Sequence, residues 1–373
     1  MSAAKGLEGI VAAQTAISYI DGINGRLFYR GLDIDDLTVH STFEETTALL
    51  WYGQLPTQRQ LDSFRRKMIE NRLVPNEVIA LLLLLPKRTN VMGVLRTAVS
   101  ALAPFDPETG DNSLEANVNK SIRLTAALPT IVAAWDRIRN GLWPVTPSTY
   151  LSHAANFLYM LTGEEPDPAA ARILDQALIL HADHGLNAST FAARITASTL
   201  SNLHSAITSA IGTLRGPLHG GANEQVMRML LEIGSIDRVD QYLRGAFAAN
   251  KKIMGFGHRV YKADDPRAIW LQRLAGELAE STDNRRWFDM SERIRAMVQS
   301  EKTLPVNVDF YSASVYYTLG IPIDVFTPIF AISRVAGWTA HVYEQYSDNR
   351  LIRPESEYIG PVDVPYLPLD SRE

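Results

Sequence analysis

Apolar residues recur along most of this 373-residue chain with the three- and four-residue spacing of amphipathic helices. Pro, Gly and Asp/Asn clusters separate one such segment from the next. No run with the two-residue period of a strand has a convincing length, and the first forty residues predict only turns and brief strands. The pattern therefore predicts an all-α protein. The predicted helices span residues 41–52, 58–71, 76–85, 91–102, 121–139, 148–162, 169–181, 195–214, 224–233, 237–249, 269–280, 285–300, 308–317 and 328–346.

Three stretches depart from the simple alternation of helix and break. Residues 104–117 are rich in Pro, Gly, Asp and Asn, which predicts a surface loop. Residues 195–214 carry no charged side chain, which predicts one buried helix that packs closely against another helix. The last 25 residues contain four closely spaced prolines, so we expect an extended tail.

Length and composition narrow the function classes. A chain of this length predicts two domains. The formal charge of −5 excludes bulk affinity for nucleic acid, and the absence of cysteine excludes disulfides and thiolate chemistry. The apolar run 78–85 is too short to span a membrane, and residues 1–8 lack the apolar core of a secretory signal. The simplest interpretation is a cytoplasmic protein.

Two histidines and one aspartate are the first candidates for chemistry. His219 and His258 are flanked by glycines, which allow tight turns and the close approach of a ligand. Asp309 stands alone in a largely apolar run. Each has a structural alternative, because the histidines could pack at helix starts and Asp309 could be a helix N-cap. Together they suggest a general base with electrophilic partners acting on a small molecule.

Two further features suggest an anionic ligand. Arg334 lies in an apolar helical run with no acidic residue within helical reach, so it pairs either with a ligand carboxylate or with a carboxylate from another helix. Residues 251–267 concentrate basic side chains on an acidic protein, which suits phosphates and carboxylates.

A metal site is a competing interpretation of His181, Asp183 and His184. Two histidines three residues apart can share a helical face, as in histidine/aspartate phosphohydrolases. Such a site needs more His or Asp ligands elsewhere, and the sequence identifies none. Hydrogen bonding to a substrate is the favoured role. A helical scaffold without catalysis is a third class, and it would leave Asp309 and Arg334 without a common ligand.

The chain resembles the citrate synthase family, in particular its shorter dimeric type from archaea and bacteria. The resemblance rests on separated motifs in the family's order: Gly-Pro-Leu-His-Gly-Gly-Ala-Asn at 216–223, Gly-Phe-Gly-His-Arg-Val-Tyr at 255–261, Asp-Pro-Arg at 265–267, Asn-Val-Asp at 307–309 and Ser-Arg at 333–334. It implies a helical fold with a large domain of residues 1–217 and 326–373 and an inserted small domain of residues 218–325. The large domain would provide dimerisation and the oxaloacetate site, and the small domain would bind coenzyme A and carry the catalytic residues.

The resemblance implies a role for each matching residue. Asp309 would take a methyl proton from acetyl-CoA, His219 would stabilise the enol or enolate, and His258 would donate to the oxaloacetate carbonyl. His184, Arg267 and Arg334 match oxaloacetate ligands, Arg353 matches an arginine donated across a homodimer interface, and Phe330 matches an aromatic residue of the acyl site. Lys252, Ile253, Met254, Gly255 and Lys262 fall in the coenzyme A region, where Lys262 replaces an arginine of some relatives.

The family implies the condensation of acetyl-CoA with oxaloacetate, followed by hydrolysis of citryl-CoA. It implies no metal and no cofactor, since the coenzyme A thioester is a substrate, and no nucleic acid or membrane partner. The nearest alternative is 2-methylcitrate synthase, which uses propionyl-CoA. One methylene is worth only roughly 1–3 kcal/mol of discrimination, so the sequence separates the two poorly.

Overall fold

The computed structural model describes residues 5–372. Residues 1–4 and residue 373 lie outside the described part. Residues 1–4 begin the segment that lacks the apolar core of a secretory signal, and residue 373 is the last of the expected large domain. The described chain is 62% helical, with 16 α-helices and almost no strand, which confirms the predicted all-α class. The helices are α1 (Ile34–His40), α2 (Phe43–Tyr52), α3 (Gln58–Glu70), α4 (Asn76–Leu84), α5 (Val91–Leu102), α6 (Leu114–Arg139), α7 (His153–Thr162), α8 (Pro168–His181), α9 (Ala188–Ser198), α10 (Leu203–Leu214), α11 (Ala222–Ile233), α12 (Val239–Ala248), α13 (Pro266–Ser281), α14 (Arg286–Lys302), α15 (Val308–Thr318) and α16 (Phe326–Ser347).

A small antiparallel sheet precedes the helices. Its strands β1 (Ser18–Asp21), β2 (Arg26–Tyr29) and β3 (Leu32–Asp33) lie in the order β1-β2-β3. The brief strands predicted for this region are therefore present, but the sequence pattern missed α1, which follows β3 directly. Asp33 caps that helix by accepting a hydrogen bond from the Asp35 N–H.

The predicted single helix at 195–214 is wrong. The structure has two helices there, α9 and α10, joined by a turn at residues 199–202. Leu200 adopts a left-handed backbone with φ 63°, and the Asn202 side chain accepts a hydrogen bond from the Ser205 N–H at the start of α10. The break is set by backbone geometry and a cap, which an uncharged run hides.

The predicted surface loop at 104–117 ends earlier than expected. Helix α6 begins at Leu114, where the Ser113 side chain accepts from the Ala116 N–H. Within the remaining loop, Asp106 is buried and accepts two hydrogen bonds from Arg123 of α6, at 2.8 and 2.7 Å. The loop is therefore tied to the core by a charge-assisted pair.

Helix α16 lies at the centre of the larger group of helices. It packs against α2, α5, α6, α8, α9 and α10, and nearly all of its side chains are buried, including Arg334 and Trp338. Helices α11 to α15 pack mainly against one another. Arg334 therefore lies within the core of the larger group, where an arginine needs a polar partner.

Two observations complete the outline. The predicted extended tail is present: after α16 the described chain is almost entirely exposed and irregular, apart from a short 3₁₀ helix at Leu369–Ser371. Between residues 5 and 372 no helix has the length and apolar character needed to cross a membrane.

Candidate active site

The segment before His258 lies against the segment before Asp309. Phe256 and Val306 form an antiparallel bridge, the Gly257 N–H donates to Pro305 O at 2.8 Å, and the Asn307 N–H donates to Gly255 O at 3.0 Å. Gly255 has φ 86°, and a Cβ at this position would lie 2.7 Å from Phe310 Cδ2. Only glycine allows this approach without displacement. The contact brings the Gly-Phe-Gly-His motif beside the Asn-Val-Asp motif.

Asp309 lies in the first turn of α15 and is not its N-cap. The cap is Asn307, whose side chain accepts from the Asp309 N–H at 3.1 Å. The Oδ1 atom of Asp309 is shielded from solvent and has no hydrogen-bond partner among residues 5–372. Burial raises the pKa of Asp309 to about 7, against the opposing effect of Arg267. A carboxylate with this pKa is a stronger base than an ordinary aspartate.

The backbone fixes the protonation pattern of His258. Its Nδ1 accepts hydrogen bonds from the Val260 N–H and the Tyr261 N–H, both at 3.0 Å. Because a main-chain N–H can only donate, Nδ1 carries no proton and the neutral ring is protonated at Nε2. Burial lowers the pKa of His258 to about 4, so the ring is neutral at pH 7. His258 therefore offers an Nε2–H donor.

His219 has the opposite tautomer. Its Nε2 faces Ser189, with the main-chain N–H at 3.3 Å and Oγ at 2.8 Å, and Trp338 Nε1 donates to that Oγ at 3.1 Å. The N–H donor leaves Nε2 as an acceptor, so the neutral ring carries its proton on Nδ1. Burial, and then the charge of Arg334, lowers the pKa of His219 to about 4. His219 is thus a neutral Nδ1–H donor.

Aromatic contacts join His184 to His258. The two rings lie 5.4 Å apart between centroids in an edge-to-face arrangement, and His184 Nε2 is 3.3 Å from the Tyr261 hydroxyl. The Tyr261 ring is also 4.7 Å from that of His258. Burial lowers the pKa of His184 well below its ordinary value, with a further contribution from Arg267. Three ring systems therefore form one wall, in which both imidazoles are neutral.

Arg334 is buried without a carboxylate partner. It is 1% exposed, Nε donates to His181 O at 2.7 Å, and Nη2 has no hydrogen-bond partner. Its guanidinium lies 4.6 Å from the centroid of the Phe330 ring. In the described range 5–372 no acidic side chain comes within ion-pair distance of it. Of the two alternatives for Arg334, the ligand carboxylate is therefore favoured.

Arg267 differs from Arg334 because it has an internal partner. It pairs with Asp265 through two hydrogen bonds, at 2.9 and 2.6 Å, and both residues are buried. Burial disfavours the charged guanidinium, but Asp265 outweighs that effect and raises the pKa of Arg267. Arg267 thus remains a fixed cation at all accessible pH values.

Electrostatic influence connects these side chains. The charge of Arg334 lowers the pKa of His219 and His184, and that of Arg267 lowers the pKa of His184 and His258. Both arginines also oppose the rise that burial causes in the pKa of Asp309. Each of these side chains is therefore near enough to Arg334 or Arg267 for its pKa to respond to that charge. The predicted catalytic residues and the two internal arginines thus form one electrostatic cluster around Asp309.

The remaining predicted residues lie at different depths. Phe330, Ile253 and Gly255 are buried, Met254 is half-buried, and Lys252 and Lys262 are exposed. Arg353 is exposed in the segment after α16, where the neighbouring Ile352 N–H donates to Ser198 Oγ. Within the described chain no polar contact joins Arg353 to the cluster around Asp309.

The residues of the metal alternative have other partners. Asp183 accepts from the Ser18 hydroxyl at 2.5 Å and from the Gly185 N–H at 3.0 Å, and its Oδ1 is 3.3 Å from His341 Nε2. His181 Nδ1 bonds to Ala177 O at 2.7 Å. Over residues 5–372, no group of three or more His, Cys, Asp or Glu side chains is arranged to hold a metal ion.

Sequence reasoning missed Ser189, Trp338 and Tyr261. Ser189 contacts the His219 ring and is itself held by Trp338, and Tyr261 contacts both His184 and His258. Tyr261 could have been found, since it follows His258 by three residues within a recognised motif. Ser189 and Trp338 gave no signal, because they are 30 and 119 residues from His219 along the chain.

The chain is similar to known proteins along its whole length. Residues 6–355 match the family model described as "Citrate synthase, C-terminal domain". Citrate synthase 2 of Bacillus subtilis is 50% identical over the full length of both chains, and a 2-methylcitrate synthase of Mycobacterium tuberculosis is 44% identical over 95% of this chain and 90% of the relative. A solved ternary complex of citrate synthase from the archaeon Thermoplasma acidophilum, with carboxymethyl coenzyme A and oxaloacetate, matches with a TM-score of 0.94 and 31% identity over both entire chains.

Proposed function

The chain belongs to the citrate synthase family, and we infer that it is an acyltransferase that condenses acetyl-CoA with oxaloacetate and hydrolyses citryl-CoA to citrate and CoA. Full-length similarity to citrate synthases favours this reaction over the 2-methylcitrate alternative. The observation that carries the chemistry is Asp309, a shielded carboxylate with an unpartnered oxygen and a pKa raised to about 7. Such a group is suited to removing a proton from carbon.

We propose that Asp309 takes the methyl proton of acetyl-CoA while His219 donates from Nδ1–H to the thioester oxygen. The C–H electron pair becomes the enol double bond, and the thioester oxygen receives the hydrogen bond as charge develops on it. The neutral state of His219 supports this role, because a neutral donor can stabilise an enolate without a full proton transfer. Its fixed tautomer removes the need to reorient during the reaction.

In the second step the enol carbon attacks the keto carbon of oxaloacetate. We propose that His258 donates a hydrogen bond from Nε2–H to the keto oxygen as charge develops there, and that this oxygen becomes the hydroxyl of citryl-CoA by net return of the proton that Asp309 took from the methyl group. The hydrogen bonds from the Val260 and Tyr261 N–H groups to Nδ1 support this assignment. Water then cleaves the thioester to citrate and CoA.

The arginines would bind the carboxylates of oxaloacetate. Arg334 has an unpartnered Nη2 and no internal carboxylate, so a ligand carboxylate would satisfy it. Arg267 supplies a second buried cation, and His184 a neutral hydrogen-bonding ring. Phe330, which stacks under Arg334, would line the acyl site. Together these groups would orient the keto-diacid before the attack.

Coenzyme A would bind along the segment that leads to His258. Lys252 and Lys262 are exposed cations suited to its phosphates, and Ile253, Met254 and Gly255 lie between Lys252 and His258 along the chain. Residues 218–325 would form the small domain, which the mutual packing of α11 to α15 supports. Closure of this domain would exclude water until condensation is complete.

We propose that the active unit is a homodimer in which Arg353 of each subunit completes the site of the other. The exposed position of Arg353 supports this, since it has no partner in its own described chain. The test mixes inactive Asp309→Asn and Arg353→Ala proteins under conditions that exchange subunits. Mixed dimers would contain one intact site, so about a quarter of wild-type activity should return at a 1:1 ratio. No recovery, despite demonstrated exchange, would contradict shared sites.

We propose that the reaction needs no metal or prosthetic group and that the protein works in the cytoplasm. Asp309, His219 and His258 can supply the acid/base steps, and coenzyme A enters as part of a substrate. Dialysis against a chelator should leave turnover unchanged, and cell fractionation should place the activity in the cytosol. Loss of turnover that added metal restores would contradict the first proposal.

The reaction itself is tested by measuring free CoA thiol. The wild-type protein is given acetyl-CoA or propionyl-CoA, each with and without oxaloacetate. We expect release that depends on oxaloacetate and is faster with acetyl-CoA. Higher kcat/KM with propionyl-CoA would assign the chain to the 2-methylcitrate reaction, and release without oxaloacetate would indicate a simple thioesterase.

A further inference from the structure

The segment 181–185, which carries His184, is held by the side chain of Asp183. Asp183 is fully buried, and its Oδ2 accepts from the Ser18 hydroxyl of β1 at 2.5 Å and from the Gly185 N–H at 3.0 Å. His341 Nε2 of α16 lies 3.3 Å from Oδ1 and 3.4 Å from Oδ2. The carboxylate of Asp183 thus connects strand β1, the turn at Gly185 and helix α16.

The backbone of the same segment has its own anchors. The Tyr29 hydroxyl of β2 contacts both the Asp183 carbonyl, at 2.9 Å, and the Asp183 N–H, at 3.1 Å. On the other side, Arg334 Nε donates to His181 O at 2.7 Å and the Gly337 N–H donates to Ala182 O at 3.1 Å. Every residue that precedes His184 in this segment is therefore held by a hydrogen bond.

Helix α16 approaches the segment as closely as a glycine permits. A Cβ on Gly337 would lie 2.4 Å from Ala182 O and 2.4 Å from Asp183 Oδ1. Arg334, Gly337 and His341 are spaced by three and four residues, so one face of α16 makes all of these contacts. This tight packing leaves the segment little freedom to shift along the helix.

The β1–β2 hairpin also contacts the loop that follows His258. The Lys262 N–H donates to Gly22 O at 2.8 Å, and a Cβ on Gly22 would lie 2.5 Å from Val260 O. The strand that anchors Asp183 through Ser18 is thus part of the same hairpin that contacts the loop after the second histidine. The hairpin therefore links the backbone positions of His184 and His258, whose rings are 5.4 Å apart.

We propose that Asp183 is a positioning residue, whose buried carboxylate, held by Ser18 and His341, fixes the turn that presents His184 to the keto-diacid. The inference rests on the proposed function, because it takes His184 as a ligand of oxaloacetate. Asp183 acts through His184 and does not touch the substrate. This positioning role takes the place of the metal-ligand role that the sequence left open for Asp183.

The test begins with Ser18→Ala, which removes one donor from the carboxylate and leaves a small side chain at a half-buried position. Hydrogen bonds to charged groups are among the stronger ones, so we expect about a tenfold rise in the Kd and KM for oxaloacetate. The KM for acetyl-CoA should change less than about twofold, because that substrate does not contact His184. Asp183→Asn should show the same split more strongly. If the Asn variant fails to fold, Ser18→Ala decides the question.

A double-mutant cycle separates positioning from general support of the fold. In a His184→Ala background, Ser18→Ala should weaken oxaloacetate binding less than about twofold, because the group it positions is gone. An equal loss in both backgrounds, or no loss in either, would overturn the inference. Ser41→Ala is the matched control, since its hydroxyl also donates to a carboxylate, that of Glu45 at 2.8 Å, far from these histidines in sequence. It should leave oxaloacetate binding unchanged.

Failure of the proposed function would look different. If His184→Ala bound oxaloacetate as tightly as the wild type, His184 would lose its role as a ligand and Asp183 its role with it. If the wild-type protein failed to bind oxaloacetate, the proposed reaction itself would be refuted. A third result would contradict only the positioning role of Asp183. In that case the wild type binds oxaloacetate, and Ser18→Ala weakens this binding equally with and without His184.

Discussion

Replacing Ser189 with alanine tests whether its hydroxyl positions the His219 ring for catalysis. Ser189 Oγ lies 2.8 Å from His219 Nε2 and accepts from Trp338 Nε1 at 3.1 Å. The substitution removes the hydroxyl but keeps the main-chain N–H, which lies 3.3 Å from Nε2. The hydroxyl has one proton and also donates to Asn187 Oδ1 at 2.8 Å, so its loss removes a contact that positions the His219 ring, while the main-chain N–H remains.

The size of the effect follows from these contacts. A neutral hydrogen bond is worth about 1 kcal/mol, so the preference of the His219 ring for its catalytic position should fall about fivefold. We expect kcat to fall by about five- to tenfold, with little change in the KM for oxaloacetate, because His219 acts on the thioester. The buried Trp338 N–H also loses its acceptor, which should cost about 1–3 kcal/mol of folding stability.

The assay combines thiol release with thermal unfolding. Ser291→Ala is the matched control, since Ser291 is also fully buried and bonds to Trp287 O and Ser314 Oγ at 2.8 and 2.9 Å. Both variants should melt a few degrees lower, by about 2–4 °C for each kcal/mol lost. Only Ser189→Ala should lose kcat. Equal melting shifts with unchanged kcat in both proteins would refute a positioning role of the Ser189 hydroxyl.

Three further predictions concern the same site. Arg334→Lys keeps a positive charge but loses the planar fork, so the KM for oxaloacetate should rise about 10- to 100-fold, and an unchanged KM in steady-state kinetics would contradict a carboxylate ligand. Burial raises the pKa of Asp309 to about 7, and only its carboxylate form can take a proton. The kcat/KM for acetyl-CoA should therefore fall about tenfold per pH unit below that value and level off above it. A pH profile of kcat/KM that stays flat down to pH 5 would count against Asp309 as the base. Gly255→Ala places a Cβ 2.7 Å from Phe310 Cδ2 on a backbone with φ 86°, so calorimetry should show a loss of about 1–3 kcal/mol in the free energy of unfolding. Gly245→Ala is the control: nothing in the described chain lies within 4 Å of its Cβ, so it should melt no lower than the wild type.

The sequence predicted most helices because their apolar spacing is strong and proline or glycine marks their ends. The predicted helix bounds were wrong where the polarity of a segment did not match its secondary structure. The run 195–214 is uncharged throughout, so the break between α9 and α10 left no trace except Asn202, a capping residue followed by an apolar one. The start of α6 was hidden because its first turn is polar and follows a loop of similar composition.

The candidate site was predictable where its residues lie in motifs, as His219, His258 and Asp309 do. The sequence could not reveal which side chains position these residues. Ser189 and Trp338 reach His219 from α9 and α16, and His341 reaches Asp183 across 158 residues. Such contacts depend on tertiary packing, which residue spacing does not encode. The raised pKa of Asp309 likewise depends on burial by side chains from several helices.

The most direct test of the central claim is the oxaloacetate-dependent release of CoA from acetyl-CoA by Asp309→Asn. The amide that replaces the carboxylate is nearly isosteric with it but cannot accept the methyl proton, so we expect turnover to fall by at least about 10³-fold with a melting temperature close to that of the wild type. Asp289→Asn, in the first turn of α14, is the matched control and should retain full activity. Wild-type turnover by a folded Asp309→Asn protein would contradict the assignment of the base and the mechanism built on it.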